Sequence, residues 1–194
     1  MNRVGVIVLA AGKSSRLGRP KQVLPYRGRT LVTHVAEEAL AAGLGPVTVV
    51  TGAYRLEVEA ALKGEPVGLV YNPDWETGMA SGIVAGLSNL LLLRRDADAV
   101  IIAVCDQPFI SSGLLLELAG AFETSGKGIV ASTYADSMGT PVLFGACYFE
   151  QLLSLSGSEG AKKLLLQHPA DLATVNFPAG YIDIDTAEDL HKLE

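Results

Sequence analysis

The sequence predicts an α/β fold, a mostly parallel sheet with helices on both faces. Short, almost continuously apolar runs, residues 4–9 and 99–104 above all, read as strands buried on both faces. Segments with apolar residues at helical spacing follow them, so strand and helix alternate through the first two thirds of the chain. Glycine, proline or aspartate punctuates most of the junctions.

Taken in order, residues 4–9 are a central strand and residues 30–42 a helix. Thr30 is its cap, Leu31, Val35, Ala39 and Ala42 form its apolar stripe, and Gly43 ends it. Residues 46–51 form a second buried strand, 56–62 a helix closed by Gly64, and 67–71 a third strand. Residues 72–82 (NPDWETGMASG) break every regular period, and an apolar helix starting near Met79 runs to residue 94. The strand at 99–104 stops at Cys105-Asp106-Gln107-Pro108. Ser111 or Ser112 caps the next helix, which ends near Phe122. Strands follow at 128–132 and 140–144, helices at 146–153 and 159–167, strands at 172–175 and 181–184, and a closing helix at 186–193. The last third is strand-richer and adds antiparallel strands at one edge. A chain of 194 residues makes one domain.

Composition excludes several classes. Hydrophobic residues make up 49% and charged residues 19%, a globular balance. A net charge of −6 argues against nucleic acid as a partner. No apolar run approaches the roughly 18 residues of a membrane span, and the N-terminus does not read as a cleavable signal, so the cytoplasm is the expected compartment. Cys105 and Cys147 give neither a metal spacing nor a disulfide framework. His34, His168 and His191 are scattered, which argues against a histidine metal site or a Ser-His-Asp triad.

Charge distribution says more than the total. Seven Lys or Arg residues precede the first acid, Glu37, in a chain that is acidic as a whole. Four of them, Lys13, Arg16, Arg19 and Lys21, follow the first strand and the small residues Ala10-Ala11-Gly12. Small residues allow backbone N–H groups to approach an anion closely. The cations beside them suit a triphosphate, and residues 1–110 are accordingly expected to be the nucleotide-binding half of the domain and residues 111–194 its acceptor-binding half. The spacing is neither a P-loop nor a dinucleotide fingerprint, since Ile7 stands where the earlier P-loop glycine belongs. In an open parallel sheet ligands bind beyond the carboxyl ends of the strands. That makes Asp106, at the end of an apolar strand, a candidate Mg²⁺ ligand or helix cap, with Asp185 as second ligand or N-cap. Asp183 would share a face with Asp185 if both lie on a strand. Asn72, Trp75, Gly78, Met79 and Ser81 could line a base or second-substrate pocket, and Met138 to Pro141 a turn near the acceptor.

Leu9, Ala10, Gly12, Ser14, Arg16, Gly18 and Lys21 fill the nucleotidyltransferase signature L-A-x-G-x-S-x-R-x-G-x-x-K without a gap. Together with NPDWETGMASG, VCDQP, GTPVLF, GSEGAKKLL and DIDTAEDL, the chain resembles the molybdenum cofactor nucleotidyltransferase family, most closely its cytidylyltransferase branch. The resemblance implies a Rossmann-like sheet of the nucleotide-diphospho-sugar transferase type. It implies transfer of CMP from CTP to the terminal phosphate of molybdopterin carrying molybdenum, with Mg²⁺ as cofactor and pyrophosphate released. Arg16, Lys21 and Asp106 would be catalytic. Leu9, Ala10, Ala11, Gly12, Lys13, Ser14, Thr51, Asn72, Gly78, Met79 and Ser81 would bind the nucleotide with Arg16 and Lys21. Asp106 and Asp185 would hold the metal, and Trp75, Gly139, Thr140, Pro141 and Asp183 would face a phosphorylated small-molecule acceptor. Ala11 matches the cytidylyl branch, where the guanylyl branch usually has glycine. Ser158 and Lys162 depart from the aspartate and arginine of the family's Gly-Asp-x-Gly-Ala-Arg segment. A transient contact with a molybdoenzyme or its chaperone is a further implication. Two other readings stand beside this one: a nucleotidyltransferase acting on a sugar phosphate or another phosphorylated acceptor, and a non-catalytic nucleotide- or cofactor-binding maturation chaperone.

Overall fold

A computed structural model of the chain describes residues 3–135, 137–158 and 160–193. Among the described residues, nine strands and six α-helices occur in the order β1 (Val4–Ala10), β2 (Pro25–Tyr26), β3 (Arg29–Thr30), α1 (Leu31–Ala41), β4 (Val47–Thr51), α2 (Arg55–Ala61), β5 (Gly68–Tyr71), α3 (Met79–Leu93), β6 (Ala99–Val104), α4 (Ser112–Ser125), β7 (Ile129–Tyr134), β8 (Ser137–Gly145), α5 (Phe149–Leu153), α6 (Lys162–Gln167) and β9 (Leu172–Asn176). Seven strands form one sheet in the order β5-β4-β1-β6-β8-β7-β9, and β2 and β3 form a separate hairpin. This is the Rossmann-like, mostly parallel sheet of the nucleotide-diphospho-sugar transferases. The β1–β4, β1–β6, β4–β5 and β7–β9 pairs are parallel, whereas β8 runs antiparallel to both β6 and β7. The antiparallel strand therefore lies inside the sheet, between β6 and β7, rather than at its edge.

The apolar strand runs are explained by layers on both faces. Val6, Ile7 and Val8 are all fully buried, Val6 and Val8 against α1, α2 and α4, and Ile7 against the layer of α3, α5 and α6. Burying such a side chain contributes about 1.5–3 kcal/mol, so a strand enclosed on both faces holds the sheet centre firmly. Helix α3 lies unusually close to β1 and β4. A Cβ built on Gly86 would stand 2.6 Å from Ile7 Cγ2 and 2.9 Å from Val50 Cγ2, so only glycine permits this approach.

The caps agree with the sequence. Thr30 accepts from the N–H of Thr33, and Ser111 rather than Ser112 caps α4 by accepting from the N–H of Leu114. The C-terminal region does not follow expectation. Residues 181–184 are not a strand: a 3-10 turn covers Pro178–Tyr181, the next residues are irregular, and the closing helix is a 3-10 segment, Ala187–Leu193. Asp183 and Asp185 therefore do not share a strand face. The helix expected at 159–167 spans Lys162–Gln167, and Glu159 lies outside the described residues. Among the described residues no helix is long and apolar enough to cross a membrane.

A small third cluster matters for function. Leu24, Tyr26, Leu31 and Ile184 are buried together, with Leu17 and Leu190 packed against them. It fastens the loop after β1 to the C-terminal segment. The N–H of Ile184 also donates to the carbonyl of Asp106 at 3.1 Å. Two points of attachment thus bring residue 185 to the carboxyl end of β6.

Candidate active site

The carboxyl ends of β1, β5 and β6 open on a cleft of about 320 Å³. Leu9 to Gly12, Lys21, Asn72, Trp75, Gly78, Met79 and Asp106 all line it. The loop after β1 turns on Ser14, which has the left-handed φ of 52°. The Ser14 carbonyl accepts from the N–H groups of both Leu17 and Gly18 at 3.1 Å. The Ser14 hydroxyl accepts from the N–H of Lys21 at 3.2 Å, which returns the chain to the cleft. Sequence and fold together thus deliver the last cation of the basic loop to the strand end that carries Asp106.

Lys21, Asp106 and Asp185 meet at the rim. Lys21 Nζ donates to Asp106 Oδ2 at 2.5 Å and to Asp185 Oδ1 at 2.7 Å. Arg16 Nη2 donates to the other oxygen of Asp185 at 2.6 Å. The Lys21 and Asp106 side chains are only 13% and 19% exposed, Asp185 is 32% exposed and Arg16 69%. Burial disfavours the ammonium, yet the two carboxylates outweigh it and raise the pKa of Lys21 well above the ordinary lysine value. Burial likewise opposes ionisation of Asp185, but Lys21 and Arg16 prevail and hold its carboxyl below the usual range. Cys105 lines the same cleft as a neutral thiol, its pKa pushed up to about 12 by burial first and by Asp106 second.

The lowered pKa of Asp185 predicts an acid-labile contribution to stability. Its folded pKa lies below its unfolded value near 3.9. The stabilisation is therefore complete above the unfolded pKa and is lost as pH falls through the folded pKa. Denaturant titrations of the wild type and of Asp185→Asn should show a constant gap above about pH 5 that narrows below about pH 4. A gap independent of pH down to acid unfolding would contradict the pairing.

The loop at 72–82 forms the opposite wall. Asn72 is buried; its Nδ2 donates to Ser81 Oγ at 2.8 Å and its Oδ1 accepts from the N–H of Asp74 at 3.0 Å. The Ser81 hydroxyl stands 2.9 Å from the carbonyls of both Asp74 and Gly78 and gives its single proton to one of them. Gly78 has φ 123°, and a Cβ there would meet the Gly157 carbonyl oxygen at 2.3 Å, so the loop closes against the segment before α6 only with glycine. Trp75, in a 3-10 turn, and Met79, at the first position of α3, are thereby presented to the cleft.

A second cavity of about 300 Å³ adjoins the first and shares Met79 and Val104 with it. Gly139 and Thr140 line it, as do Tyr134, Met138 and Lys162. Several expectations are corrected by this arrangement. Trp75 lines the first cleft, not the second. Pro141 lines neither; its carbonyl accepts from the Ser132 hydroxyl at 2.6 Å inside the sheet. Asp183 lines neither cavity and is an exposed residue whose charge reaches Tyr134. Thr51 is fully buried, with its hydroxyl 3.4 Å from the Val70 carbonyl, and does not reach the cleft. Lys13 is exposed outside it, and Ser14 and Ser81 shape its loops rather than its surface. Among the described residues, no helix is capped by the side chain of Asp106 or Asp185. It is Asp189 that accepts from the N–H groups of Asp185 and Thr186.

Met138 lines the second cavity, as expected of the segment from Met138 to Pro141, but two residues were not anticipated. Tyr134 lines that cavity from the end of β7. Gln22 lies fully buried beneath the β1 loop, its Nε2 donating to the carbonyls of Ala10 at 3.1 Å and Gly12 at 2.7 Å. The one signal for Gln22 was a polar amide between Lys21 and the apolar Val23-Leu24.

Fold and site define a nucleotide-binding α/β protein with an anion loop facing a lysine–dicarboxylate cluster. Residues 6–172 match the MobA-like NTP transferase domain. The chain is 34% identical to nicotine blue oxidoreductase of Paenarthrobacter nicotinovorans, over 96% of this chain and 94% of that one. It superposes on Rv0371c from Mycobacterium tuberculosis H37Rv in complex with manganese, with TM-score 0.79, 26% identity and coverage of 99% and 98%. A nucleotidyl transferase from Methanothermobacter thermautotrophicus matches with TM-score 0.81, 25% identity and coverage of 100% and 96%. The chain belongs to the MobA-like NTP transferase family, and the class it represents is that of the nucleotidyltransferases.

Proposed function

We propose that the protein transfers CMP from CTP to the terminal phosphate of a molybdopterin-type molybdenum cofactor and releases pyrophosphate. The observation that carries this reading is the convergence of Lys21, Asp106 and Asp185 beside the Ala10–Gly12 loop, with a second cavity next to the first. The nucleotide lies in the first cleft with its base toward the Asn72–Met79 wall, where Trp75 supplies an aromatic face. Lys21 follows the α-phosphate and Arg16, the most exposed member of the cluster, reaches the β- and γ-phosphates.

An oxygen of the acceptor phosphate attacks the α-phosphorus. A new P–O bond forms, the bond from the α-phosphorus to the bridging oxygen breaks, and pyrophosphate leaves with that electron pair. The acceptor is already an anion, so no side chain has to take a proton. Catalysis is positioning and charge stabilisation. Asp106 and Asp185 suit Mg²⁺, which favours one or two carboxylates together with phosphate oxygens. The fit rests on the Lys21 ammonium, a cation already held by one oxygen from each of them. Bound there, the ion would neutralise charge on the phosphates. The manganese complex of Rv0371c supports a divalent ion in this fold. In the second cavity, Met79, Tyr134 and Met138 suit a flat apolar body and Lys162 an anionic end. Ala11 supports CTP over GTP. Handover of the product to a molybdoenzyme or its chaperone would follow release.

A second reading has one observation in its favour: a relative aligned with nearly the whole chain is named an oxidoreductase. Pyrophosphate release measured with each of the four nucleoside triphosphates, Mg²⁺ and molybdopterin or sugar-phosphate acceptors separates the readings. CTP- and molybdopterin-dependent release is the expected result. Release with a sugar phosphate alone would replace the acceptor. No release with any pair, together with consumption of a reduced nicotinamide or flavin, would replace the reaction.

A further inference from the structure

We propose that Gln22 is the positioning residue of the nucleotide loop, fixing the peptide planes of Ala10–Ala11 and Gly12–Lys13 so that their N–H groups are offered to the ligand. The inference rests on the nucleotide reading of the first cleft and explains how its loop is made ready. A fully buried primary amide is costly unless its groups are paired. Here both amide hydrogens are committed, one to the Ala10 carbonyl at 3.1 Å and one to the Gly12 carbonyl at 2.7 Å. The Ser14 hydroxyl lies 3.4 Å from Oε1 and donates to it. The opposite amide orientation would set an oxygen against two carbonyl oxygens, so the partners dictate which end is nitrogen. The carbonyl between the two, that of Ala11, is held by the N–H of Ala53 at 3.1 Å.

Three consecutive carbonyls are therefore occupied by the protein. In a planar trans peptide the C=O and N–H point in opposite directions. The N–H groups of Ala11 and Lys13 are thus turned away from Gln22, and that of Gly12 away from Ala53. Among the described residues none of the three has a protein acceptor. Gly12 and Lys13 are exposed, Ala11 is half-buried, and a Cβ built on Gly12 would meet nothing within 4 Å. Consecutive unpaired N–H groups on a fixed loop beside open space are a preorganised anion seat, and preorganisation is worth more than the donors alone. Gln22 has no donor left for substrate, which makes it a positioning residue and not a catalytic one.

The test is the affinity of Gln22→Met for the four nucleoside triphosphates with Mg²⁺, by calorimetry far below the melting temperature. Methionine keeps the volume and removes both donors. For the triphosphate that the wild type binds, the Kd should rise roughly 10- to 100-fold in fully folded protein. A purely structural amide would lower the melting temperature and leave that Kd unchanged, and this outcome overturns the proposal. Should Gln22→Met not fold, Gln22→Glu, which differs by one atom and when ionised donates nothing, is read by the same two criteria. Wild-type protein that binds none of the four removes the nucleotide reading itself, a result distinct from tight binding by both wild type and variant.

Discussion

Lys21→Met is expected to lower turnover by about 10²- to 10⁴-fold and, with no nucleotide present, to tighten Mn²⁺ binding about tenfold or more. The two effects have one cause. In the wild type the ammonium joins Asp106 to Asp185 through charge-assisted bonds of 2.5 and 2.7 Å. Such bonds are worth roughly 1.5–3 kcal/mol each, more than an exposed ion pair, and these are partly shielded from water. A divalent ion that takes both carboxylates must first displace this internal cation, so its affinity without nucleotide is reduced by that competition. Removing the lysine removes the competitor and leaves two carboxylates facing each other. Their repulsion lowers stability, and a metal ion restores it, so the variant's melting temperature should rise with Mg²⁺ far more than the wild type's. Turnover falls because nothing then follows charge as it develops on the α-phosphate. Mn²⁺ affinity that is unchanged or weaker in folded Lys21→Met would show that ammonium and metal do not share these carboxylates.

The same cluster shows what could be read from residue order and what could not. The strand at Ala99–Val104 was legible to the residue, because a fully enclosed strand must be apolar at every position and must stop where Asp106 becomes compatible with the environment. Lys21 and Asp106 were legible as a pair, because an open parallel sheet gathers its strand ends on one edge. Residues 181–184 misled because Tyr-Ile-Asp-Ile alternates as a strand does. Ile184 owes its apolar character to the Leu24–Tyr26–Leu31 cluster instead, and one hydrogen bond to Asp106 replaces a ladder. That packing, not a shared strand face, brings Asp185 to Lys21. The β2–β3 hairpin was invisible for another reason. Two residues per strand carry no period, and Arg27 with Gly28 supplies the left-handed turn at φ 48° and 80°. Gln22 and Tyr134 could not be inferred, since their roles depend on which backbone groups and cavity walls the fold leaves beside them.

Asp106→Asn should be the most damaging conservative change in the chain, with turnover reduced about 10²- to 10⁴-fold and the fold retained. The asparagine is isosteric, and its side-chain oxygen still accepts from Lys21, so the packing around Cys105 and the Ile184–Asp106 backbone bond has no reason to move. What is lost is one of two negative charges. With Asp185 alone the proposed seat would be weaker for Mg²⁺, and Lys21 would be held by one full carboxylate instead of two. Asp185→Asn should cost less than Asp106→Asn. Asp185 is more exposed, it sits on an irregular segment, and its departure also frees Arg16 for the β- and γ-phosphates. Nucleotide affinity in the presence of a chelator separates this from a general disruption of the cleft. It should be nearly unchanged in Asp106→Asn, since the Ala10–Gly12 loop and the Asn72–Met79 wall are intact, whereas addition of Mg²⁺ should tighten binding in the wild type and much less in the variant. Folded Asp106→Asn protein that turns over at the wild-type rate would remove the carboxylate from the mechanism and leave the convergence at the rim as a structural ion cluster.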